Sequence, residues 1–142
     1  MNSRFVLLLA CLSPTLTMAQ GCDVLTRSQS PSVPVIETHT CYEYKGMPVD
    51  AIDWSCSNES REMLTSTKKK VAQCGDRYQA TCMGTVTPES LANPQSVSKD
   101  KNSKALNIPK DAQIITYYYG AENLGQSKVD CETGGGNWKQ KQ

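Results

Sequence analysis

Three short segments of the chain have the pattern of hydrophobic and polar positions that predicts β-strands. Residues 39–45, HTCYEYK, alternate tyrosine with cysteine and glutamate, which is the period of a strand with two different faces. Residues 78–86, YQATCMGTV, are rich in β-forming side chains that alternate with polar ones. Residues 113–120, QIITYYYG, are almost continuously β-branched or aromatic, and such a run predicts a central strand buried on both faces.

Helical regions are predicted where apolar positions recur every three or four residues. The first begins at Pro48, which suits a first helical turn because its missing N–H needs no partner there, and extends to Cys56. A second or continuing helix is predicted over residues 59–74, ESREMLTSTKKKVAQC. Its glutamates lie in the first turn and its lysines near the end, as the helix dipole favours. The last helix is predicted over residues 121–132 and ends at Gly134.

The predicted order of elements is strand, helix, strand, loop, strand, helix and a short closing strand at residues 137–139. We therefore predict a small, single α+β domain with an antiparallel sheet and two helices, stabilised by disulfides. This βαββαβ order is compatible with a ferredoxin-like fold, and an α+β sandwich with other connections fits nearly as well. No internal repeat is visible in the sequence.

The N-terminal segment, residues 1–19, has the organisation of a secretory signal peptide. Arg4 gives a positive start, an apolar run follows, and the small residues of TMA precede a cleavage site predicted after Ala19. An alternative is a lipoprotein anchored through Cys11, although few apolar residues precede that cysteine. The apolar run is far shorter than the roughly 20 residues that cross a bilayer as a helix, so no transmembrane segment is predicted in the mature chain.

The mature chain is predicted to divide into a leader and one domain. Residues 20–38 carry serine and proline without a lasting period, and we interpret them as an extended N-terminal leader that only a bridge at Cys22 would hold. Residues 39–142 form the single α+β domain, a normal length for one core. Within it, residues 93–110 are rich in serine, lysine and asparagine and contain two prolines, which predicts a mobile surface loop.

The cysteines indicate a disulfide framework. Cys11 leaves with the signal peptide, so seven cysteines become six, an even number in a compartment that oxidises thiols. Their order along the chain allows many pairings and does not choose among them. We predict that all of the remaining cysteines are structural and form disulfides: Cys22, Cys41, Cys56, Cys74, Cys82 and Cys131.

No constellation in the sequence indicates a metal site or a catalytic centre. Neighbouring mature cysteines are separated by 18, 14, 17, 7 and 48 residues, so the closely spaced pairs of a zinc site and the C-x-x-C of a thioredoxin-type site are missing. His39 is the only histidine, and a Cys–His nucleophile would need a thiol that the disulfides leave free. We therefore predict no catalytic residue, no metal and no cofactor.

The charge balance of the mature chain argues against nucleic acid as a partner. Loss of Arg4 lowers the total of lysine and arginine from 15 to 14, which equals the 14 aspartates and glutamates. A neutral chain has no electrostatic footprint for nucleic acid, and we expect none to bind. The segment CETGGGNW, residues 131–138, resembles the endings of small exported bacterial proteins.

Two functional hypotheses follow from these patterns. The first is an exported protein, periplasmic or secreted, with a non-enzymatic binding or structural role toward a protein or another envelope component. Its contact surface is predicted in the strand-turn-helix segment, because recognition commonly uses loops on a rigid scaffold; the residues are Tyr42, Tyr44, Asp50, Asp53 and Trp54, with the 93–110 loop. The alternative is a small hydrolase of envelope or glycan material that acts through Asp50, Asp53 or Glu43, since paired carboxylates can divide acid and base roles.

Overall fold

The computed structural model describes residues 20–28, 37–56, 64–86, 108–120 and 122–142. The signal peptide predicted at residues 1–19 and most of the loop predicted at residues 93–110 lie outside these ranges. The elements are, in chain order, β1 (Gly21–Ser28), β2 (Glu37–Lys45), α1 (Val49–Ser55), β3 (Leu64–Val71), β4 (Ala80–Thr85), β5 (Gln113–Tyr118), α2 (Leu124–Thr133) and β6 (Asn137–Gln140).

The described strands form one antiparallel sheet in the order β3-β1-β2-β5-β4-β6. Each helix joins two strands that have one other strand between them: α1 leads from β2 across β1 to β3, and α2 leads from β5 across β4 to β6. The predicted α+β class, with an antiparallel sheet and two helices, is confirmed. The ferredoxin-like order is not confirmed, because six strands in this order replace the four that it requires.

Strand β1 revises the interpretation of residues 20–38 as a leader for residues 21–28; residues 29–36 lie outside the described ranges. Residues 21–28 pair with β2 on one side and with β3 on the other, so they lie inside the sheet. Cys22 and Val24 point to the core and are buried, while Asp23 and Leu25, which alternate with them, are half-buried. This alternation is the strand signal that the surrounding serines and prolines obscure.

The helix predicted over residues 59–74 is wrong for residues 64–71, which form β3; residues 59–63 lie outside the described ranges. β3 is an edge strand that pairs only with β1 among the described elements. Its threonines and valine are β-branched and favour extended backbone. Its lysines suit the open edge of a sheet, because charge there disfavours pairing with another chain. The charge pattern that fits a helix dipole therefore also fits an edge strand.

Both helices lie on the same face of the sheet, which we call the helix face. Cys22 on β1 and Cys82 on β4 belong to one row of directly paired residues that crosses β2 and β5, so their side chains point to the same side. Each forms a disulfide with a helical segment: Cys22 with Cys56 at the C-cap of α1, and Cys82 with Cys131 in α2. Two of the three disulfides thus fasten the helices to the sheet.

The described part of the chain contains a structural repeat that the sequence does not reveal. We call β1, β2, α1 and β3 the N-terminal half, and β4, β5, α2 and β6 the C-terminal half. The halves meet at the β2–β5 pair and are related by a pseudo-two-fold axis perpendicular to the sheet. Cys22 pairs with Tyr42 in one half, Cys82 pairs with Thr116 in the other, and Tyr42 pairs with Thr116. The axis therefore passes between Tyr42 and Thr116, and the two helix-to-strand disulfides are equivalent.

The main core lies on the helix face of the N-terminal half. Buried side chains of β1, β2 and α1 form it together with residues that flank β4 and β5: Cys22, Val24, Tyr44, Ile52, Cys56, Val86 and Ala112. Met47 and Ile108 are partly buried and pack against this cluster. Gly46 ends β2 with a φ of 72°, a left-handed conformation that glycine adopts without strain from a Cβ atom, and so directs the chain into α1.

The opposite face of the sheet, which we call the loop face, is crossed by residues 72–79. This segment connects the edge strand β3 with β4, four strand spacings or about 19 Å away. Eight extended residues span about 26 Å, enough for that crossing. The Cys41–Cys74 disulfide fastens the segment to the middle of β2, where Cys41 lies. With this third pair, all six cysteines predicted to be structural form disulfides.

Candidate functional site

The structure distributes the five residues of the predicted contact surface between the core and the exterior. Tyr44 is 5 % exposed and belongs to the core, and its hydroxyl accepts a hydrogen bond from Ser55 at 3.1 Å. Tyr42 and Trp54 are half-buried against the same core. Asp50 and Asp53 are exposed on α1. These five side chains therefore do not form one continuous exposed surface, and a contact with a partner would use only part of the set.

The carboxylates of the hydrolase hypothesis are separated by the sheet. Asp50 and Asp53 lie on α1 above the helix face, and Asp53 forms an ion pair with Lys70 of β3. Glu43 lies on the loop face, where its two oxygens accept hydrogen bonds from the Cys74 backbone N–H at 2.7 Å and the Tyr117 hydroxyl at 2.9 Å. The two exposed aspartates have the solvated surroundings of a helix surface. The hydrolase hypothesis receives no support from this arrangement.

A groove runs between the two helices because the sheet holds them apart. α1 is bonded to β1 and α2 to β4, and these strands are three spacings apart, about 14 Å. Helices that pack on each other have their axes 8–10 Å apart, so within the described part of the chain α1 and α2 do not pack on each other and leave a gap above the β2–β5 pair. Side chains of β2 and β5 that point to the helix face form the floor of this gap.

The two ends of the groove differ in what occupies them. At one end Tyr44 and Ile114, which are cross-strand partners, are covered by Met47, Val86 and Ile108 of the main core. At the other end Thr40 and Tyr118 are partners and remain partly exposed. We call this second end the open groove and define it by six residues: Thr40, Tyr42, Thr116, Tyr118, Asp130 and Trp138.

Tyr118 lies at the centre of the open groove. Burial raises the pKa of its hydroxyl first, and the nearby Tyr42 and Asp130 raise it further. The sheet register places Tyr42 and Tyr118 on the helix face, and the Cys82–Cys131 disulfide holds the adjacent Asp130 above β4, the neighbour of β5. The rings of Tyr118 and Trp138 lie 5.3 Å apart at a tilt of 48°, so the indole of Trp138 packs beside Tyr118 from β6, across β4. The indole Nε1 of Trp138 is buried and has no hydrogen-bond partner among the residues that the structure describes.

The loop face carries a second polar cluster, whose contacts hold residues 72–79 against the sheet. His39 Nε2 lies 2.7 Å from Asp23 Oδ1, and the imidazole stacks on Tyr119 with ring centroids 4.4 Å apart. Tyr119 in turn donates a hydrogen bond to the Gly75 carbonyl at 2.8 Å. Nearby, burial and then the hydrogen bond to Glu43 raise the pKa of Tyr117 to about 12. Each of these groups already has a protein partner, so the cluster explains how the crossing segment is fixed.

The described ranges contain neither a metal-binding cluster nor a membrane-spanning helix. No group of three or more histidine, cysteine, aspartate or glutamate side chains there has the geometry to hold a metal ion. In the same residues, no helix is both long enough and apolar enough to cross a membrane.

Comparisons with known proteins assign no function to this chain. The chain matches no protein-family model, and neither the curated proteins nor the solved structures searched contain a match to it. The open groove and the loop-face cluster are therefore interpreted from their own chemistry.

Sequence reasoning found one residue of the open groove, Tyr42, and missed the others. Tyr118 was part of the strand prediction, but which of three consecutive tyrosines points to the helices depends on the β2–β5 register. Asp130 and Trp138 reach the groove only because α2 crosses β4 and returns to β6. The available signal was a similar spacing: Asp130 and Cys131 follow Tyr118 by 12 and 13 residues, and Ser55 and Cys56 follow Tyr44 by 11 and 12.

Proposed function

We propose that this protein is exported, that its disulfides fix a binding module without catalytic activity, and that its ligand contacts the open groove. Three disulfides are typical of proteins that fold in an oxidising environment outside the cytoplasm. They support the predicted route of export, in which the signal peptide is cleaved after Ala19 and the mature protein acts in the periplasm or outside the cell.

The observation that carries the binding role is a difference between equivalent positions in the two halves. Tyr44 is sealed by aliphatic side chains and its hydroxyl is hydrogen-bonded to Ser55. Tyr118 has the equivalent position, is partly exposed, and has Asp130 where Ser55 stands in the other half. Aromatic rings and a few polar groups in a concave site are the usual composition of a ligand-binding surface. The frame is the same, so the open groove is not a consequence of the fold alone.

A binding role fits these groups better than hydrolysis does. A hydrolase of the glycosidase type needs two carboxyl groups that face each other across the substrate. Asp130 is the carboxylate that defines the open groove, whereas Asp50 and Asp53 are solvated on α1. The predicted partner class, a protein or another envelope component, remains compatible with this surface.

The test is a titration of the oxidised mature protein, residues 20–142, with a panel of short peptides of both charges and of small oligosaccharides. Heteronuclear NMR would follow every backbone amide. We expect at least one member of the panel to shift Tyr118 and its neighbours, and the variants Tyr118→Phe and Asp130→Asn to weaken that binding. Asp50→Asn is the matched control, since it makes the same change on the other helix, outside the open groove.

Two results would contradict the proposal. Ligands that bind equally well to Asp130→Asn and to the unaltered protein would place the contact elsewhere. Chemical conversion of a bound ligand, with loss of conversion in Asp130→Asn, would make the protein an enzyme. The route of export is tested separately by the intact mass of the protein from its native host: a chain that begins at Gln20 supports the proposal, whereas a lipid-modified start at Cys11 contradicts the cleavage site.

A further inference from the structure

The hydroxyl groups of the open groove are available to a ligand. Within the described ranges, no side-chain hydrogen bond involves any of the four hydroxyls, which belong to Thr40, Tyr42, Thr116 and Tyr118. The Asp130 carboxylate accepts one hydrogen bond in the same ranges, from Gln126 Nε2 at 2.8 Å. A hydroxyl can donate one hydrogen bond and accept others, whereas a carboxylate only accepts. The open groove therefore offers several donors and acceptors together with one negative charge.

These donors and acceptors discriminate between classes of ligand. A lysine or arginine side chain has donors but no acceptor, so it would pair with Asp130 and leave the hydroxyl donors of the groove unsatisfied. An anionic ligand would have acceptors for the hydroxyls, but Asp130 would repel it. A neutral polyhydroxylated molecule both donates and accepts, and can satisfy the carboxylate and the hydroxyls at once.

The aromatic walls select further among neutral ligands. Tyr118 and Trp138 present ring surfaces at an angle to each other beside the hydroxyls of β2 and β5. A sugar ring has an apolar face of C–H groups, which packs on an aromatic ring, and a rim of hydroxyls, which bond to polar side chains. Aromatic surface next to a small number of fixed polar groups gives such a ligand both contact area and orientation.

We propose, on the basis of the binding role above, that the open groove takes a neutral glycan. One sugar ring packs on Tyr118 with Trp138 beside it, its hydroxyls donate to Asp130, and they exchange hydrogen bonds with the hydroxyls of Thr40, Tyr42 and Thr116. The chain of the glycan follows the gap between α1 and α2 above the β2–β5 pair.

The experiment is an NMR titration of the oxidised mature protein with three neutral trisaccharides: maltotriose, cellotriose and triacetylchitotriose. Trilysine and a galacturonic acid trimer are the cationic and anionic comparison probes. We expect at least one neutral trisaccharide to shift the amide signals of Thr116 and Tyr118 and to bind at least tenfold more tightly than either charged probe. Asp130→Asn should weaken that binding about tenfold, because the charged acceptor becomes a neutral amide that keeps only one acceptor oxygen.

Matched variants separate the groove from the rest of the protein. Tyr118→Phe should weaken binding of the trisaccharide about fivefold through loss of one hydroxyl contact. Tyr117→Phe makes the same change at the adjacent residue, whose side chain points to the loop face, and should leave the affinity unchanged. An unaltered far-ultraviolet circular dichroism spectrum of each variant excludes loss of the fold as the cause.

The possible failures are distinguishable. Binding of trilysine in the open groove without binding of any neutral trisaccharide would overturn the glycan inference and leave the binding role in place. Trisaccharide binding that is insensitive to both Asp130→Asn and Tyr118→Phe would overturn the inference and the location of the site together. If no neutral trisaccharide shifts the groove residues, the inference is wrong, whatever other ligand the wider panel identifies.

Discussion

In the N-terminal half, Tyr44 lies under α1 among Val24, Ile52 and the Cys22–Cys56 disulfide, and only 5 % of it is exposed. In the C-terminal half the same frame holds much less apolar material. Gly84 stands where Val24 stands in the first half, Ser127 stands in place of Ile52, and Tyr118 remains partly exposed.

This difference shows which feature both halves share as structure and which feature occurs only where the open groove lies. Both halves keep a helix bonded by a disulfide to the middle strand of its unit, so that bond is the common structural element. Among the described residues, the N-terminal half surrounds it with buried aliphatic side chains and the C-terminal half does not. In α2 the single buried side chain is Cys131, so its attachment depends on the disulfide. The C-terminal half can therefore leave aromatic and polar groups exposed without losing its helix.

The largest expected effect comes from removing one helix-to-strand disulfide at a time. The double change Cys22→Ala with Cys56→Ala should lower the free energy of unfolding by about 4 kcal/mol, from loop-closure entropy alone. Even so, α1 should stay in place, because Ala51 and Ile52 remain buried. The double change Cys82→Ala with Cys131→Ala should instead release α2. Hydrogen exchange would then lose protection in α2 and β6, while the N-terminal half stays protected. Equal loss of protection in both halves would contradict the comparison.

A side-chain truncation at equivalent helix positions should show the next largest difference. Ile52→Ala removes a buried side chain, 3 % exposed, from the main core. The expected loss is about 3 kcal/mol in the free energy of unfolding, from lost burial and the cavity that remains. Ser127→Ala, at the equivalent place in α2, should change it by less than about 0.5 kcal/mol. Urea denaturation measures the free energy of unfolding of both variants. Similar losses would mean that α2 also covers a buried core, which would contradict the comparison.

Two glycines near α2 test how closely the chain approaches the Cys82–Cys131 disulfide. A Cβ atom at Gly136 would lie 2.7 Å from Cys82 Sγ and 2.8 Å from Cys131 Sγ, closer than real contacts allow. Gly136→Ala should therefore destabilise the protein by about 2 kcal/mol, as overpacking does. Gly125→Ala is the control: a Cβ there has no neighbour within 4 Å, and alanine should stabilise α2 by about 0.5 kcal/mol. Thermal unfolding that ranks the two variants in the other order would contradict this packing.

The smallest effect is a loss of stability at high pH that comes from the loop face. The pKa of Tyr117 is raised to about 12 in the folded protein, whereas a tyrosine in the unfolded chain titrates near about 10. The unfolded state therefore loses its proton first. The contribution of Tyr117 is complete below the unfolded value and is lost as the pH rises through the folded value. Tyr117→Phe should reduce this decline between about pH 10 and 12. Tyrosinate absorbance and urea denaturation would follow it, and an equal decline in both proteins would contradict the assignment.

Most of the fold follows from local pattern, and the two errors in element type have one cause. β2, β4 and β5 have the β-branched and aromatic content of strands, and they are strands in the structure. β5 is central in the sheet as predicted, but its burial on both faces is wrong, because its side chains are half-buried or exposed. The pattern of β3 predicts a helix because an edge strand need not bury a full face, so Lys68, Lys69 and Lys70 replace the apolar alternation. The pattern of β1 predicts a leader because its partners, β2 and β3, come later in the chain. Pairing partners distant in sequence decide both cases.

Prediction of the open groove depends even more strongly on pairing between residues that are distant in sequence. Tyr42 could be recognised as an aromatic residue on a half-covered strand, and it does lie in the open groove. Tyr44, two residues later on the same strand, is core, and the choice between them is made by Met47, Val86 and Ile108. Asp130 becomes a groove residue only through the crossing of α2 over β4. Composition gave the kinds of group present, and topology decided which of them meet.

The arrangement of the disulfides has a consequence for how the chain can be divided. Cys22–Cys56 and Cys41–Cys74 interlock within the N-terminal part, and Cys82–Cys131 closes within the C-terminal part, so none of the three bridges joins the two. A single proteolytic cut between Cys74 and Cys82 would therefore yield two fragments, each covalently complete. Their reassociation would rely on the backbone ladder between β2 and β5, on the packing of Val86 and Ala112 in the main core, and on the contacts of the crossing segment. This makes the protein suited to fragment complementation, with a readout that reports on the contacts between the two halves.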